Sequence, residues 1–163
     1  MRVKLIRGIV KGTNLKPGED ILDDDISHWV AVFVHGAWRL CDVCWASRGQ
    51  LGRKGKWELI DDDGKKGHAA EDRDVIVKYE YDEFWFLTNP EEFIYTHLPN
   101  EEQWQLLARP VTRREFNEMV FLKENFFEAN LQINTHCKTI IEASKGEVEI
   151  KIEVQPNREL GFM

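Results

Sequence analysis

The most regular stretch of the chain is 28–34, where Trp29, Ala31 and Phe33 alternate with Val30, Val32 and Val34 before His35-Gly36 and a second apolar-rich run over 37–43. Two strand-like runs joined by so short a hinge predict a β-hairpin. Both of its faces are apolar, as expected of strands inside a covered sheet. Upstream, Val3, Leu5, Ile6, Ile9 and Val10 surround Gly8 in a further β-compatible segment, and Lys16-Pro17-Gly18 supplies a turn before an acidic stretch through Asp25. Downstream, 75–81 alternates charged and apolar residues and 84–87 is another β-like run. Asn89-Pro90-Glu91-Glu92 predicts a short helix ending near His97. Asn caps free amides there, Pro suits the first helical position, and the early carboxylates oppose the positive end of the helix dipole.

Between these elements the pattern breaks. Residues 49–74 turn to Gly, Lys and Asp, with Asp61-Asp62-Asp63-Gly64 near the centre, and read as a long exposed insertion. A boundary is expected near 108–110, after which Thr112 and Glu115 form a capping-box pattern opening a helix through about Met119. Further on, 139–143, the turn Ser144-Lys145-Gly146 and 147–154 predict a hairpin with one wet face. Val148, Ile150, Ile152 and Val154 alternate there with Glu147, Glu149, Lys151 and Glu153. The expected organisation is a first unit over 1–108 and the beginning of a following, incomplete β-rich domain over 110–163.

Composition narrows the partners. A net charge of −7 over 163 residues, with no basic stripe, argues against nucleic acid, whose phosphates demand clustered Lys and Arg. The apolar runs fall far short of the roughly 20 residues a membrane helix needs, so no membrane partner is expected. Arg2, Lys4 and Arg7 interrupt any signal-peptide core, which leaves a cytoplasmic location as the expectation. The cysteines, Cys41, Cys44 and Cys137, are odd in number and suit reduced thiols. Trp29, Trp38, Trp45, Trp85 and Trp104 are expected to be core or rim aromatics.

Few residues carry candidate chemistry. Cys41-Asp42-Val43-Cys44 fits a CxxC spacing, yet no second ligand pair accompanies it, and its position in a strand sends the thiols to opposite faces. The Asp61–Asp63 run lacks the glycine position and closing Glu of an EF-hand and reads as a solvated loop. No cofactor or metal is implied. His97 is expected to pack or cap its short helix, and nothing singles out His35, His68 or His136.

The unit Ser27-His28-Trp29-Val30-Ala31-Val32-Phe33, followed by Gly36, Trp38, Leu40, Asp42 and Trp45, resembles the transglutaminase-like core. Residues 79–99, Trp104-Gln105-Leu106-Leu107, and the continuation through Pro110, Thr112, Glu115 and Phe116 narrow it to the kyphoscoliosis peptidase and hillarin group. The resemblance implies an α+β fold: the sheet half of a papain-like, transglutaminase-like core, then the start of a sandwich-like domain. It further implies a cysteine peptidase or transglutaminase parent acting on protein amide or Gln groups. In such a site the imidazole deprotonates the thiol and a carboxylate fixes the tautomer. His28 as general base and Asp42 as its orienter match those stations by order and spacing. The family's nucleophilic Cys lies upstream of the opening strand, so the chain as given is expected to be inactive. A non-catalytic module binding a cytoskeletal protein is the alternative the resemblance permits.

One departure bears on the geometry. The family's His-Ala-Trp becomes His28-Trp29, so Ser27 aligns with the catalytic His when Trp29 is kept in register. With a two-residue turn at His35-Gly36, Trp29 would oppose Asp42, and His28 would point away from it. A bulge before Trp29 or a three-residue loop would restore the pairing. In the two-residue register Cys41 would instead share a face with His28.

Overall fold

The structure is a computed structural model that describes residues 2–12, 18, 21, 26–47, 49–53, 56–59, 76–79 and 81–156, with backbone alone for 49–53, 56–59 and 76–79. The chain opens with β1 (Arg2–Val10), β2 (Ile26–Val34), β3 (Ala37–Cys41) and the one-turn helix α1 (Val43–Ala46). Three strands follow, β4 (Gly49–Arg53), β5 (Lys56–Leu59) and β6 (Ile76–Tyr79), and after them a 3₁₀ turn at Glu83–Trp85. Next come β7 (Phe86–Thr88), α2 (Pro90–Phe93), β8 (His97–Pro99) and a second 3₁₀ turn at Glu102–Gln105. The chain continues through α3 (Arg113–Glu118), α4 (Glu124–Glu128), β9 (Leu131–Ile133) and β10 (Ile152–Val154). The fold is therefore α+β with a strong β character.

A five-stranded antiparallel sheet, ordered β7-β3-β2-β1-β8, positions everything of functional interest. Its centre is the hairpin foreseen from the apolar alternation. His35 (φ 49°) and Gly36 (φ 80°) both adopt the left-handed conformation, as a two-residue type I′ turn requires. Val34 consequently pairs with Ala37, and the ladder runs without a slip to Val30 opposite Cys41.

This register divides the sheet into two unlike faces. On the first, Ile6 opposes Trp29 and Ala31 opposes Leu40; with Trp45, Trp85 and Phe93 they make the main core. Gly8 lies where strands and rings crowd together. A Cβ there would meet the Leu98 carbonyl oxygen at 2.2 Å and Trp29 Cη2 at 2.5 Å, so only glycine fits. On the second face Val3, Val32 and Arg39 form one cross-strand row, and Leu5, Val30, Cys41 and Phe86 another. A smaller cluster of Ile9, Ile21, Ile94, Leu98 and Phe116 packs α3 against the β1/β8 end. Beyond it the second face is open: Val3 is 52%, Leu5 64% and Phe86 54% exposed. The expectation that both faces of the hairpin are covered holds for one face only.

Two local expectations also change, and a third gains detail. In the segment read as an exposed insertion, β4 and β5 pair as a hairpin and β4 also pairs with β6; Asp61, Asp62 and Asp63 lie outside the described residues. The helix foreseen from Asn89-Pro90 ends at Phe93, and His97–Pro99 adds a strand to β1 instead. Near the C-terminus β10 pairs with β9, Ile152 opposite Ile133, rather than with 139–143. Thr139 is already engaged, its N–H donating to the Glu118 carbonyl at 2.8 Å. Alternation identifies a strand's faces but carries no information on its partner.

Candidate functional site

Asp42 follows β3 directly and N-caps α1. Its extended backbone (φ −114°, ψ 102°) lets Oδ1 accept the Trp45 N–H at 2.9 Å. Its own N–H donates to the Trp85 carbonyl at 3.0 Å. The side chain is 0% exposed. A carboxylate so deeply placed needs its second oxygen satisfied, because an unpaired buried charge is costly. The partner is His97: Nε2 lies 3.0 Å from Asp42 Oδ2, and this side chain too is 0% exposed. The other ring nitrogen, Nδ1, is 2.8 Å from the Thr96 hydroxyl. An imidazole protonated at Nε2 donates to the carboxylate and can accept from Thr96, which satisfies both contacts.

Aromatic rings enclose the pair. Phe93 stacks on the His97 ring at 4.1 Å between centroids, while Trp45 (4.6 Å) and Trp29 (5.0 Å) meet it edge to face. Trp85 closes the cage at 5.3 Å. The expectation that His97 packs is met, and the tryptophans expected in the core or at its rim are found there. Trp29, Trp45 and Trp85 are buried, and Trp38 and Trp104 are half-buried beside them.

His28 is elsewhere. It pairs with Arg7 in β1, is exposed, and projects from the second face, whereas Trp29, Asp42 and His97 belong to the first. No hydrogen bond or ion pair joins His28 to Asp42 among the described residues. The cause is strand parity: the type I′ turn admits neither the bulge nor the extra loop residue that would rotate His28 inward. Ser27, on the Trp29 face, occupies the station nearer the carboxylate side.

The thiols do not form a substitute dyad. Cys41 shares the His28 face by register, yet it is buried and its sulfur accepts the Leu87 N–H at 3.3 Å, where a bulge with Leu87 at φ 59° interrupts the β3/β7 ladder. Burial pushes this thiol above its ordinary pKa, only partly opposed by that hydrogen bond, which is the reverse of what a nucleophile needs. Cys44 and Cys137 are exposed and free of disulfides. Among the described residues no cluster of His, Cys, Asp and Glu could hold a metal ion, and no helix is long and apolar enough to cross a membrane.

Sequence reasoning found Asp42 but not its partner. The signal available was a histidine inside the apolar text of 93–98, a setting that demands a hydrogen-bond partner.

A sheet-rich unit with this buried acid–imidazole pair precedes a region, residues 113–163, that matches the family model described as "KY-like, immunoglobulin-like domain". Relatives extend the likeness upstream. The chain is 38% identical over 128 residues to hillarin of Drosophila melanogaster, 78% of this chain and 14% of that protein. It is 33% identical over 155 residues to the Lim and transglutaminase domain protein ltd-1 of Caenorhabditis elegans, 93% of this chain and 20% of that protein. With kyphoscoliosis peptidase of Mus musculus it shares 29% identity over 149 residues, 91% of this chain and 19% of that protein. Over most of its length, then, the chain is a homologue of hillarin and the kyphoscoliosis peptidases, as the text of 79–107 implied. It spans about a fifth or less of the length of these relatives.

Proposed function

We propose that this chain is a non-catalytic part of a transglutaminase-like protein of the hillarin and kyphoscoliosis peptidase kind, in which the orienting carboxylate serves as a structural anchor. The observation that carries this reading is the occupancy of Asp42. Both its oxygens are engaged, one by His97 Nε2 and one by the Trp45 N–H, while His28 projects from the opposite face of the sheet. A general base needs its orienter within hydrogen-bond reach, and this carboxylate is fully buried and faces no open site. Ser27 at the histidine station supports the same conclusion, since a hydroxyl with an ordinary pKa cannot draw a proton from a thiol at neutral pH.

In this reading the chain's role is to bind protein. Incubating the chain with a labelled primary amine and a Gln-rich acceptor, and separately with an unfolded protein substrate, tests the reading. No incorporation or cleavage above the buffer control is expected. Turnover that disappears in His28→Ala or Cys41→Ala would overturn it.

A further inference from the structure

The second face of the five-stranded sheet combines two properties seldom found together on a free surface. Val3, Leu5 and Phe86 stand exposed in adjacent cross-strand rows over half-buried Val30 and Val32, a contiguous apolar strip where most of a monomer's surface is broken by polar groups. At its borders stand Arg39, in the Val3 row, and Arg7, next to Leu5 along β1; both are exposed, and neither has an ion-pair partner among the described residues. The strands themselves hold no Asp or Glu at all, although the whole chain carries −7. The negative charge is thus placed on other segments, and this face is apolar with a cationic rim. Lys4, on the opposite face, shows the contrast: it is within 3.9 Å of the Glu101 carboxylate and 5.7 Å from the Trp104 ring.

We propose that this face docks an amphipathic helix of a partner protein, its apolar stripe laid over Val3, Leu5 and Phe86 and its flanking carboxylates paired with Arg7 and Arg39. The proposal rests on the protein-binding reading above and specifies its surface. A sheet face presents alternate side chains in rows, and a helix meets it with residues at i, i+3, i+4 and i+7. The apolar strip supplies the contact area, while the two exposed guanidiniums at the border select sign and register rather than adding much affinity. A basic helix of equal hydrophobicity would place like charges against Arg7 and Arg39 and be rejected. The chain's overall negative charge weakens the attraction little at physiological salt, because charges beyond about 8 Å are screened there.

The test uses two fluorescein-labelled peptides with the same Leu stripe at helical spacing, one flanked by Glu and the other by Lys, titrated with the purified chain by anisotropy. The Glu peptide is expected to bind saturably and to weaken with added salt. The Lys peptide should bind about tenfold more weakly. Arg7→Glu/Arg39→Glu should invert that preference, and Leu5→Asp should abolish binding of both. These positions are exposed, and an unchanged near-ultraviolet circular dichroism spectrum confirms that the tryptophan core is intact in each variant. Equal binding of the two peptides, no binding, or a preference unmoved by the charge reversal would overturn the proposal. So would a dimer of the chain that Leu5→Asp dissociates, which would assign the face to a second copy. Loss of the proposal leaves the amine-incorporation result unaffected, so the two readings fail separately.

Discussion

Lys11 shows how one side chain ties distant parts of this molecule together. It is 1% exposed, its Nζ donates to the Met119 carbonyl at 2.8 Å, and it lies 4.5 Å from the centre of the Phe116 ring. An ammonium removed from water pays a desolvation cost that one carbonyl and one ring face offset only in part. Burial accordingly lowers its pKa from 10.5 to about 8. The sign of the linkage follows. Between pH 8 and 10.5 the unfolded chain holds the proton that the folded chain has released, so the Lys11 contribution to stability rises with pH across that window. Relative to Lys11→Met, the wild-type urea midpoint should therefore climb from pH 8 to 10, by an amount worth at most roughly 3 kcal/mol. A difference independent of pH would contradict the burial of this ammonium. The comparison must be made against the variant, because Cys41 and Tyr95, whose pKa values burial raises, oppose the trend in both proteins.

Elements in this chain are specified to different degrees by their own residues. The caps of α2 and α3 were legible because their chemistry is local. Asn89 Oδ1 accepts the Glu91 N–H, and Thr112 and Glu115 exchange hydrogen bonds across a complete capping box. The hairpin of β2 and β3 was equally legible, since His35-Gly36 is short and bracketed by alternating apolar residues. What failed was partner choice. The strand character of 152–154 was visible, but its pairing with 131–133 depends on how α3 and α4 place that segment. The caps yield a direct prediction. Thr112→Ala should cost about 1 kcal/mol by denaturant unfolding, the usual value of an N-cap hydroxyl. Glu115 is held at about 2 by the Thr112 N–H first and then by the Arg109 guanidinium and the Thr112 hydroxyl. Its stabilisation is complete above the ordinary carboxylate value of 4.5 and fades as pH falls through 2. Glu115→Gln should thus flatten the acid limb of the stability profile below pH 4.5, and an unchanged limb would count against the box.

Across the whole molecule, the candidate site illustrates why order along a chain and proximity in space can part company. His28 and Asp42 lie 14 positions apart in one hairpin, and a resemblance by order pairs them. The turn sets their parity and separates them. His97 is 55 positions from Asp42, in a strand on the far side of β1 and three strands from β3 in the sheet order, yet its ring reaches the carboxylate on the first face. That contact was not readable beforehand because it depends on β8 joining β1, and 97–99 reads locally as the end of a helix. The central claim, that Asp42 works with His97 and not with His28, can be measured by two double-mutant cycles on unfolding free energy. Asp42→Ala with His97→Ala should show a coupling above about 1 kcal/mol, as for contacting residues in one buried network, whereas Asp42→Ala with His28→Ala should be additive within about 0.5 kcal/mol. Additivity in the first cycle together with coupling in the second would contradict the account.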